Sequence, residues 1–233
     1  MPGKNCLKTY QENGYYHIYS RGVNKNPIFV DEVDYRFFLY LLKLYLMNPQ
    51  NTTKLIKQES KKFMRIPKNY YQKLIIICYC LMPNHIHLLV KQTEKMIMAE
   101  FMKAMMTKYV MYFNRKYKRT GHLFESRYKA AIIDSDPYLL HLTRYIHLNP
   151  QDLNSEEVKF SKTWSSFKDY PYSSYQWYLK KVKTEWFDSS CILIFFKNKS
   201  KILFLPKSIF SYQSFVENYN QAPPRDLKYL LID

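Results

Sequence analysis

The chain contains 233 residues, a length that suits one sizeable domain with an extension or two small domains. No stretch approaches the roughly 18–20 apolar residues of a membrane-spanning helix, and four cysteines do not form a dense disulfide framework, so both of those protein classes are disfavoured. Lysine and arginine number 36 against 19 acidic residues, and the formal net charge of +17 indicates a polyanionic partner.

The aromatic content favours a nucleic acid as that partner. The 23 tyrosines and 15 phenylalanines can supply stacking surfaces for unpaired bases. The alternative is a coding bias, because lysine and tyrosine are abundant in some proteomes. Residues 1–6 hold no apolar signal core, so we expect the chain to remain in the cytoplasm, with no membrane partner.

The first 70 residues predict a strand, a helix and a loop, in that order. Residues 15–19 have the pattern of a short strand. Residues 31–47 carry apolar side chains at helical spacing, with Asp31 in the N-cap position. The stretch 48–70 is polar and rich in lysine, which favours a loop.

A β-hairpin is predicted next, over residues 74–90. An apolar run typical of a buried strand leads into Pro83-Asn84, which supplies the turn. On the second strand, His85 and His87 occupy positions i and i+2. Both imidazoles therefore project from one face of the sheet, while the residue between them points into the core.

The rest of the pattern completes the sheet and adds a helix. A second helix is predicted at about 95–117, a strand at 123–133, and a third helix over 135–149, before a proline. This order predicts an α+β, ferredoxin-like fold, an antiparallel sheet with two helices on one face. The third helix is an addition that can carry a side chain across the open face of the sheet.

His85 and His87 are candidate metal ligands. Two neutral imidazoles side by side suit a divalent ion that keeps open positions for a substrate phosphate. The alternative is a pair of half-buried strand histidines. Cys78 and Cys80 could join them in a zinc site, although Cys-x-Cys within a run of isoleucines is more typical of small buried apolar residues.

The third helix contains a second motif, Arg-Tyr-Ile-His-Leu-Asn-Pro at 144–150. Tyr145 and Asn149 are one helical turn apart and share a face. A phenol and an amide oxygen there would offer a nucleophile and a third ligand beside the imidazoles. Because the chain has 23 tyrosines, the alternative for Tyr145 is an ordinary amphipathic tyrosine of the core.

Taken together, the motifs at 82–90 and 145–150 resemble the single-tyrosine branch of the HUH superfamily. The resemblance is closer to the IS200-like tyrosine transposases associated with repetitive extragenic palindromes. It spans about residues 15–178 in matching order. Further similar segments are 16–22, 112–124, 127–129 and 170–175.

The resemblance implies a ferredoxin-like nuclease that cuts single-stranded DNA at or near a hairpin, with Mg²⁺ or Mn²⁺ as the metal ion. His85 and His87 match the paired metal histidines of the family. Tyr145 matches the nucleophile that becomes joined to a DNA 5′ phosphate. Asn149 matches a third ligand that is commonly glutamine in related insertion-sequence transposases. His147 has no established role in the family, and we expect it on the helix surface.

A group of basic residues is predicted to contact DNA phosphates. Most of them surround the junction between the second helix and the last strand, and one follows the first strand. The set is Arg21, Arg115, Lys116, Lys118, Arg119, Arg127 and Lys129. The alternative is a solvated basic face.

Residues 1–150 are predicted to form the nuclease domain and residues 151–233 a C-terminal extension packed on it, with ordering on DNA as the alternative. Two functions stay open: a metal-dependent strand transferase, or a hairpin-binding protein derived from such an enzyme that no longer cuts. An RNA-binding ferredoxin-like module would need neither the histidine pair nor Tyr145. The sequence leaves open whether the chain acts as a monomer or a homodimer.

Overall fold

A four-stranded antiparallel sheet in the order β2-β3-β1-β4 forms the centre of the protein. The computed structural model describes residue 5 and residues 8–59, 68–153, 166–197, 204–206 and 208–219. The strands are β1 (Tyr15–Arg21), β2 (Leu74–Met82), β3 (His85–Gln92) and β4 (Lys129–Ile133).

Helices cover both faces of this sheet. Within the described residues they are α1 (Glu32–Leu46), α2 (Pro49–Glu59), α3 (Ile97–Lys116), α4 (Asp136–Leu148), α5 (Tyr175–Leu179), α6 (Ser190–Lys197) and α7 (Tyr212–Asn218). Helices α1 and α3 pack together on one face, and α4 crosses the other face over β2 and β3. None of these helices is long and apolar enough to span a membrane.

These elements confirm the predicted α+β, ferredoxin-like fold with an added helix on the open face. Helix α1 starts where the sequence placed its cap. Asp31 accepts a hydrogen bond from the backbone N–H of Asp34, and the Asp34 side chain accepts one from the backbone N–H of Asp31. This reciprocal pairing satisfies backbone donors that the first helical turn leaves open.

Alternation along β3 sorts its side chains into two layers. Ile86, Leu88 and Val90 are fully buried on the side of α1 and α3. Gln92 shares this side, and its side-chain oxygen accepts a hydrogen bond from the backbone N–H of Met98 in α3. The other side chains of β3, including both histidines, therefore face α4.

Two predicted elements differ from the structure. The stretch 48–70 is not simply a loop, because α2 forms there and packs on α1, with Thr52 and Ile56 buried; residues 60–67 lie outside the described residues. The strand predicted at 123–133 is confined to β4. Strand β1 pairs with β4 only along Tyr15–Tyr19, so the residues before β4 have no continuous partner.

The described residues beyond 150 pack against β2 and α4. The Tyr170 hydroxyl donates a hydrogen bond to the backbone oxygen of Leu81, at 2.7 Å. Arg144 of α4 donates to two backbone oxygens, one in α7 and one just after it. These contacts bind α4 to the C-terminal segments, while the domain division at residue 150 stays a prediction.

Candidate active site

The two histidines of β3 project side by side towards α4. Their ring centroids are 5.0 Å apart and the rings are nearly perpendicular, at 86°. His85 is partly exposed, whereas His87 is fully buried. One imidazole therefore lies at the surface of the site and the other at its floor.

Asn149 lies beside this pair at the end of α4. Its side-chain oxygen is 3.2 Å from Nε2 of His85, and its amide nitrogen donates a hydrogen bond to the backbone oxygen of Tyr145. On the opposite side of the ring, Nδ1 of His85 is 2.7 Å from the side-chain oxygen of Asn84. The imidazole of His85 is thus held between the hairpin turn and the end of α4.

Tyr145 completes the cluster from one turn earlier on α4. Its ring is perpendicular to that of His87, with centroids 5.5 Å apart, and its side chain is half-buried. The structure therefore brings together four residues from segments about 60 positions apart in sequence. These are His85, His87, Tyr145 and Asn149.

Burial keeps both histidines neutral at physiological pH. It lowers the pKa of His85 to about 4, against an opposing effect of the Asn149 hydrogen bond and with a further decrease from the charge of Arg21. Burial also lowers the pKa of His87 well below its usual value, and the neighbouring His85 adds to this. Neutral imidazoles retain the lone pair that binds a metal ion.

The donor set fits a divalent cation. Nε2 of His87 is buried and makes no hydrogen bond of ordinary length among the described residues, while the side chain of Asn149 lies close enough to raise its pKa slightly against the effect of burial. No three His, Cys, Asp or Glu side chains of the described part are grouped to hold a metal ion. The third protein ligand would therefore be the amide oxygen of Asn149.

The two cysteines do not complete a zinc site with the histidines: Cys80 lies opposite His87 across β2 and β3, but no three such side chains of the described part are grouped to hold a metal ion. Cys78 and Cys80 are fully buried in β2, and burial raises the pKa of both thiols. The sulfur of Cys78 lies 3.2 Å from Nε2 of His147, on the side of α4 away from the cluster. These thiols behave as buried apolar groups, as the isoleucine-rich surroundings predicted.

A family model matches the part of the chain that contains the sheet and the clustered residues. The model described as "Transposase IS200 like" matches residues 10–149, which include the strand pair, α4 and all four clustered residues. The chain belongs to the IS200-like transposase family. This confirms the family resemblance that the two motifs indicated.

Two solved structures show partial similarity to this chain. A REP-associated tyrosine transposase bound to a REP hairpin is 12% identical to this IS200-like family member, with a TM-score of 0.47; the match covers 79% of this chain and 91% of that chain. A candidate transposase from Deinococcus radiodurans R1 is 17% identical, with a TM-score of 0.35, over 63% of this chain and 95% of that one. No curated protein matches, so the assignment depends on the family model.

The basic residues predicted to bind DNA divide between two places in this family member. Arg21 pairs with His85 across β1 and β3, and Lys129 pairs with Tyr19 across β1 and β4. Both basic side chains therefore lie on the sheet face that carries the histidines. The remainder lie between the end of α3 and the start of β4: Arg115, Lys116, Lys118, Arg119 and Arg127.

The charge of Lys116 is already balanced by two neighbouring carboxylates. Its ammonium lies 2.7 Å from a carboxylate oxygen of Asp31 and 2.7 Å from one of Asp34. A phosphate would have to compete with both carboxylates for this lysine. We therefore rank it last among the predicted DNA contacts.

The prediction that His147 lies on the helix surface is wrong. It is fully buried, with Nδ1 2.7 Å from the Tyr212 hydroxyl and Nε2 2.8 Å from the Ser174 hydroxyl. Two residues along an α-helix correspond to about 200°, so His147 points away from the face that Tyr145 occupies. Its partners belong to the C-terminal segments, which the motif alone could not reveal.

Replacing His147 by phenylalanine is expected to destabilise the fold by about 1–3 kcal/mol, because the buried hydroxyl of Tyr212 loses a hydrogen-bond partner. Urea unfolding followed by circular dichroism measures the change. As a control, His122→Phe alters an exposed histidine and should shift stability by less than about 0.5 kcal/mol. Equal stability of the two variants would contradict the buried network.

His17 is the residue of this site that sequence reasoning missed. It lies in β1, fully buried, and its Nε2 is 2.9 Å from Nδ1 of His87. The strand register explains the contact, because Tyr19 pairs with His87 and His17 is two residues along on the same face. Only the pairing of β1 with β3, which the sequence did not specify, would have pointed to it.

Proposed function

We propose that the protein is a metal-dependent single-stranded DNA endonuclease and strand transferase that recognises DNA hairpins. The observation that carries the proposal is the convergence of Tyr145 and Asn149 with the paired histidines on one sheet face. The hairpin substrate, and Mg²⁺ or Mn²⁺ as the ion, are favoured by the motif resemblance. The formal charge of +17 suits a phosphate backbone.

Tyr145 would act as the nucleophile of the reaction. Its hydroxyl oxygen attacks the phosphorus atom, an O–P bond to tyrosine forms, and the bond from phosphorus to the DNA 3′ oxygen breaks. The phenol loses its proton to solvent and the departing 3′ oxygen gains one. The DNA 5′ phosphate is then joined to Tyr145, and a 3′ hydroxyl can reverse the step without ATP because no ester bond has been lost.

The other residues of the cluster would bind the cation and orient the DNA phosphate. His85, His87 and Asn149 would hold the cation, which when bound polarises the scissile phosphate and balances the charge that develops on it. Arg21, paired with His85 across the strands, would contact a phosphate oxygen beside the site. Packing of the half-buried Tyr145 ring against the ring of His87 would restrict the motion of the tyrosine side chain.

A covalent adduct tests this proposal directly. The protein is incubated with hairpin-bearing single-stranded DNA labelled at its 3′ end, the end that stays joined to the tyrosine, together with Mn²⁺, and is then separated by denaturing electrophoresis. We expect a labelled band at protein size that disappears with EDTA. DNA binding without any adduct would instead support a hairpin-binding protein that no longer cuts. Stronger binding to RNA of the same sequence would support an RNA-binding module.

DNA binding is expected to weaken strongly with salt, because lysine and arginine displace condensed counterions from the phosphates. For about five contacts on single-stranded DNA, the slope of log K against log salt concentration would be roughly −3 to −4, at about −0.7 per phosphate. Fluorescence anisotropy between low and physiological salt measures this slope. A nearly flat response would mean that the charge of the chain serves another purpose.

A further inference from the structure

A buried histidine pair links β1 to the candidate metal site. His17 is fully buried on the central strand β1, which pairs with β3 on one side and β4 on the other. Its ring is nearly parallel to that of His87 and meets it edge to edge, with centroids 5.2 Å apart and 13° between the planes. The backbone of β1 therefore fixes the position of this imidazole relative to the His87 ring.

The contact between the two rings leaves room for one proton only. Nε2 of His17 and Nδ1 of His87 are 2.9 Å apart, so one of them donates and the other accepts. If His87 donates from Nδ1, its Nε2 carries a lone pair and can bind a cation. If His17 donates instead, the neutral His87 carries its proton on Nε2 and cannot bind one.

The unpartnered atoms of the pair argue for a role beyond packing. Nδ1 of His17 and Nε2 of His87 are both buried without a hydrogen-bond partner among the described residues. A purely structural position would be better filled by an apolar ring, because a buried polar atom without a partner destabilises the fold. Two such atoms at the ends of one hydrogen-bonded pair indicate that the pair serves the site next to it.

We propose that His17 is a positioning residue for the ligand His87. Its Nε2 accepts the Nδ1 proton of His87, which fixes the ring orientation and presents the lone pair of His87 Nε2 to the cation. The inference depends on the proposed function for the presence of that cation. Outer partners of this kind commonly fix the tautomer of a metal-binding histidine.

Metal affinity tests this role without reference to DNA cleavage. Binding of Mn²⁺ to the full chain is measured by electron paramagnetic resonance, which detects the free ion. We expect His17→Phe to weaken binding by about 10- to 100-fold, since the ring shape is kept but the acceptor is lost. His17→Gln, whose amide oxygen can accept at a similar reach, should retain most of the affinity.

The outcomes separate positioning from packing. Thermal unfolding of His17→Phe should show a lowered midpoint, because the buried Nδ1 of His87 loses its partner, so Mn²⁺ binding of this variant is measured well below that midpoint, where the protein is folded. Unchanged Mn²⁺ affinity in His17→Phe would overturn the proposal. So would an equal loss in His17→Phe and His17→Gln, because ring shape and not the acceptor would then matter.

A measurement on the unaltered protein decides the matter if the variants fail to fold. Long-range ¹H–¹⁵N spectra of the histidine rings with saturating Mg²⁺ should place the proton of His87 on Nδ1 and that of His17 also on Nδ1. A proton on Nε2 of His87 would refute the role. The adduct assay is an independent test of the proposed cleavage. Tight Mn²⁺ binding that depends on His17, without any covalent adduct, would contradict the proposed cleavage but still support the role of His17.

Discussion

Tyr145→Phe is expected to abolish the covalent protein–DNA adduct while the protein still folds, binds metal and binds DNA. Phenylalanine keeps the ring that packs perpendicular to His87 but lacks the oxygen that attacks phosphorus. Denaturing electrophoresis with labelled hairpin DNA and Mn²⁺ measures the adduct, and anisotropy without cleavage measures binding. The loss should be complete, because no weaker nucleophile replaces a missing oxygen at the same place.

Tyrosines on the other sheet face provide the first controls. The Tyr109 hydroxyl donates a hydrogen bond to the backbone oxygen of Ile28, and the Tyr112 hydroxyl donates to Asp34. Both tyrosines belong to α3, so Tyr109→Phe and Tyr112→Phe should retain the adduct. Normal cutting by Tyr145→Phe together with loss in Tyr112→Phe would mean that the catalytic helix is misassigned.

Tyr19 gives a closer control on the same face as the cluster. Its ring lies 5.0 Å from that of His17, and its hydroxyl accepts a hydrogen bond from the Asn5 side chain. Tyr19→Phe should cut normally. If the adduct forms in Tyr145→Phe but not in Tyr19→Phe, the nucleophile is Tyr19 on β1 and not Tyr145. An adduct in all these variants would exclude tyrosine chemistry at these positions.

The parts of the site that depend on local geometry could be predicted from the sequence. The i, i+2 spacing of His85 and His87 fixes their common face once the hairpin is recognised, and the i, i+4 spacing does the same for Tyr145 and Asn149. The meeting of the two pairs depended on the third helix crossing the open sheet face. That prediction required the element order, and the structure confirms it.

The parts that depend on distant contacts could not be predicted. His147 is covered by Tyr212, 65 residues away, and by Ser174, 27 residues away. The motif around Tyr145 contains neither residue, so it could not predict this burial. The sequence context of Lys116 predicts a phosphate contact, but its partners are the carboxylates of Asp31, the N-cap of α1, and Asp34 in the first turn of that helix. In each case the side chain was visible in sequence but its partner was not.

Removing the histidine pair is the second change with a large expected effect. The double variant His85→Ala with His87→Ala should abolish Mn²⁺-dependent cleavage, since neither imidazole remains to hold the cation. DNA binding should be largely retained, because phosphate contacts come from basic side chains elsewhere. The adduct assay and anisotropy measure the two properties on the same preparation, and Mn²⁺ binding provides a third readout.

The loss of cleavage in the double variant can be attributed to the metal site only if the variant protein is folded. His87 is fully buried, so truncation to alanine leaves a cavity and can cost about 2–5 kcal/mol, as large-to-small changes in a core do. His85 is partly exposed, so His85→Ala alone should fold and still lose most cleavage. His122→Ala, at an exposed histidine outside the cluster, should cut as the wild type does. Unchanged cleavage in a folded double variant would refute the metal assignment, because His17 would be the only described strand histidine left on this face beside Tyr145.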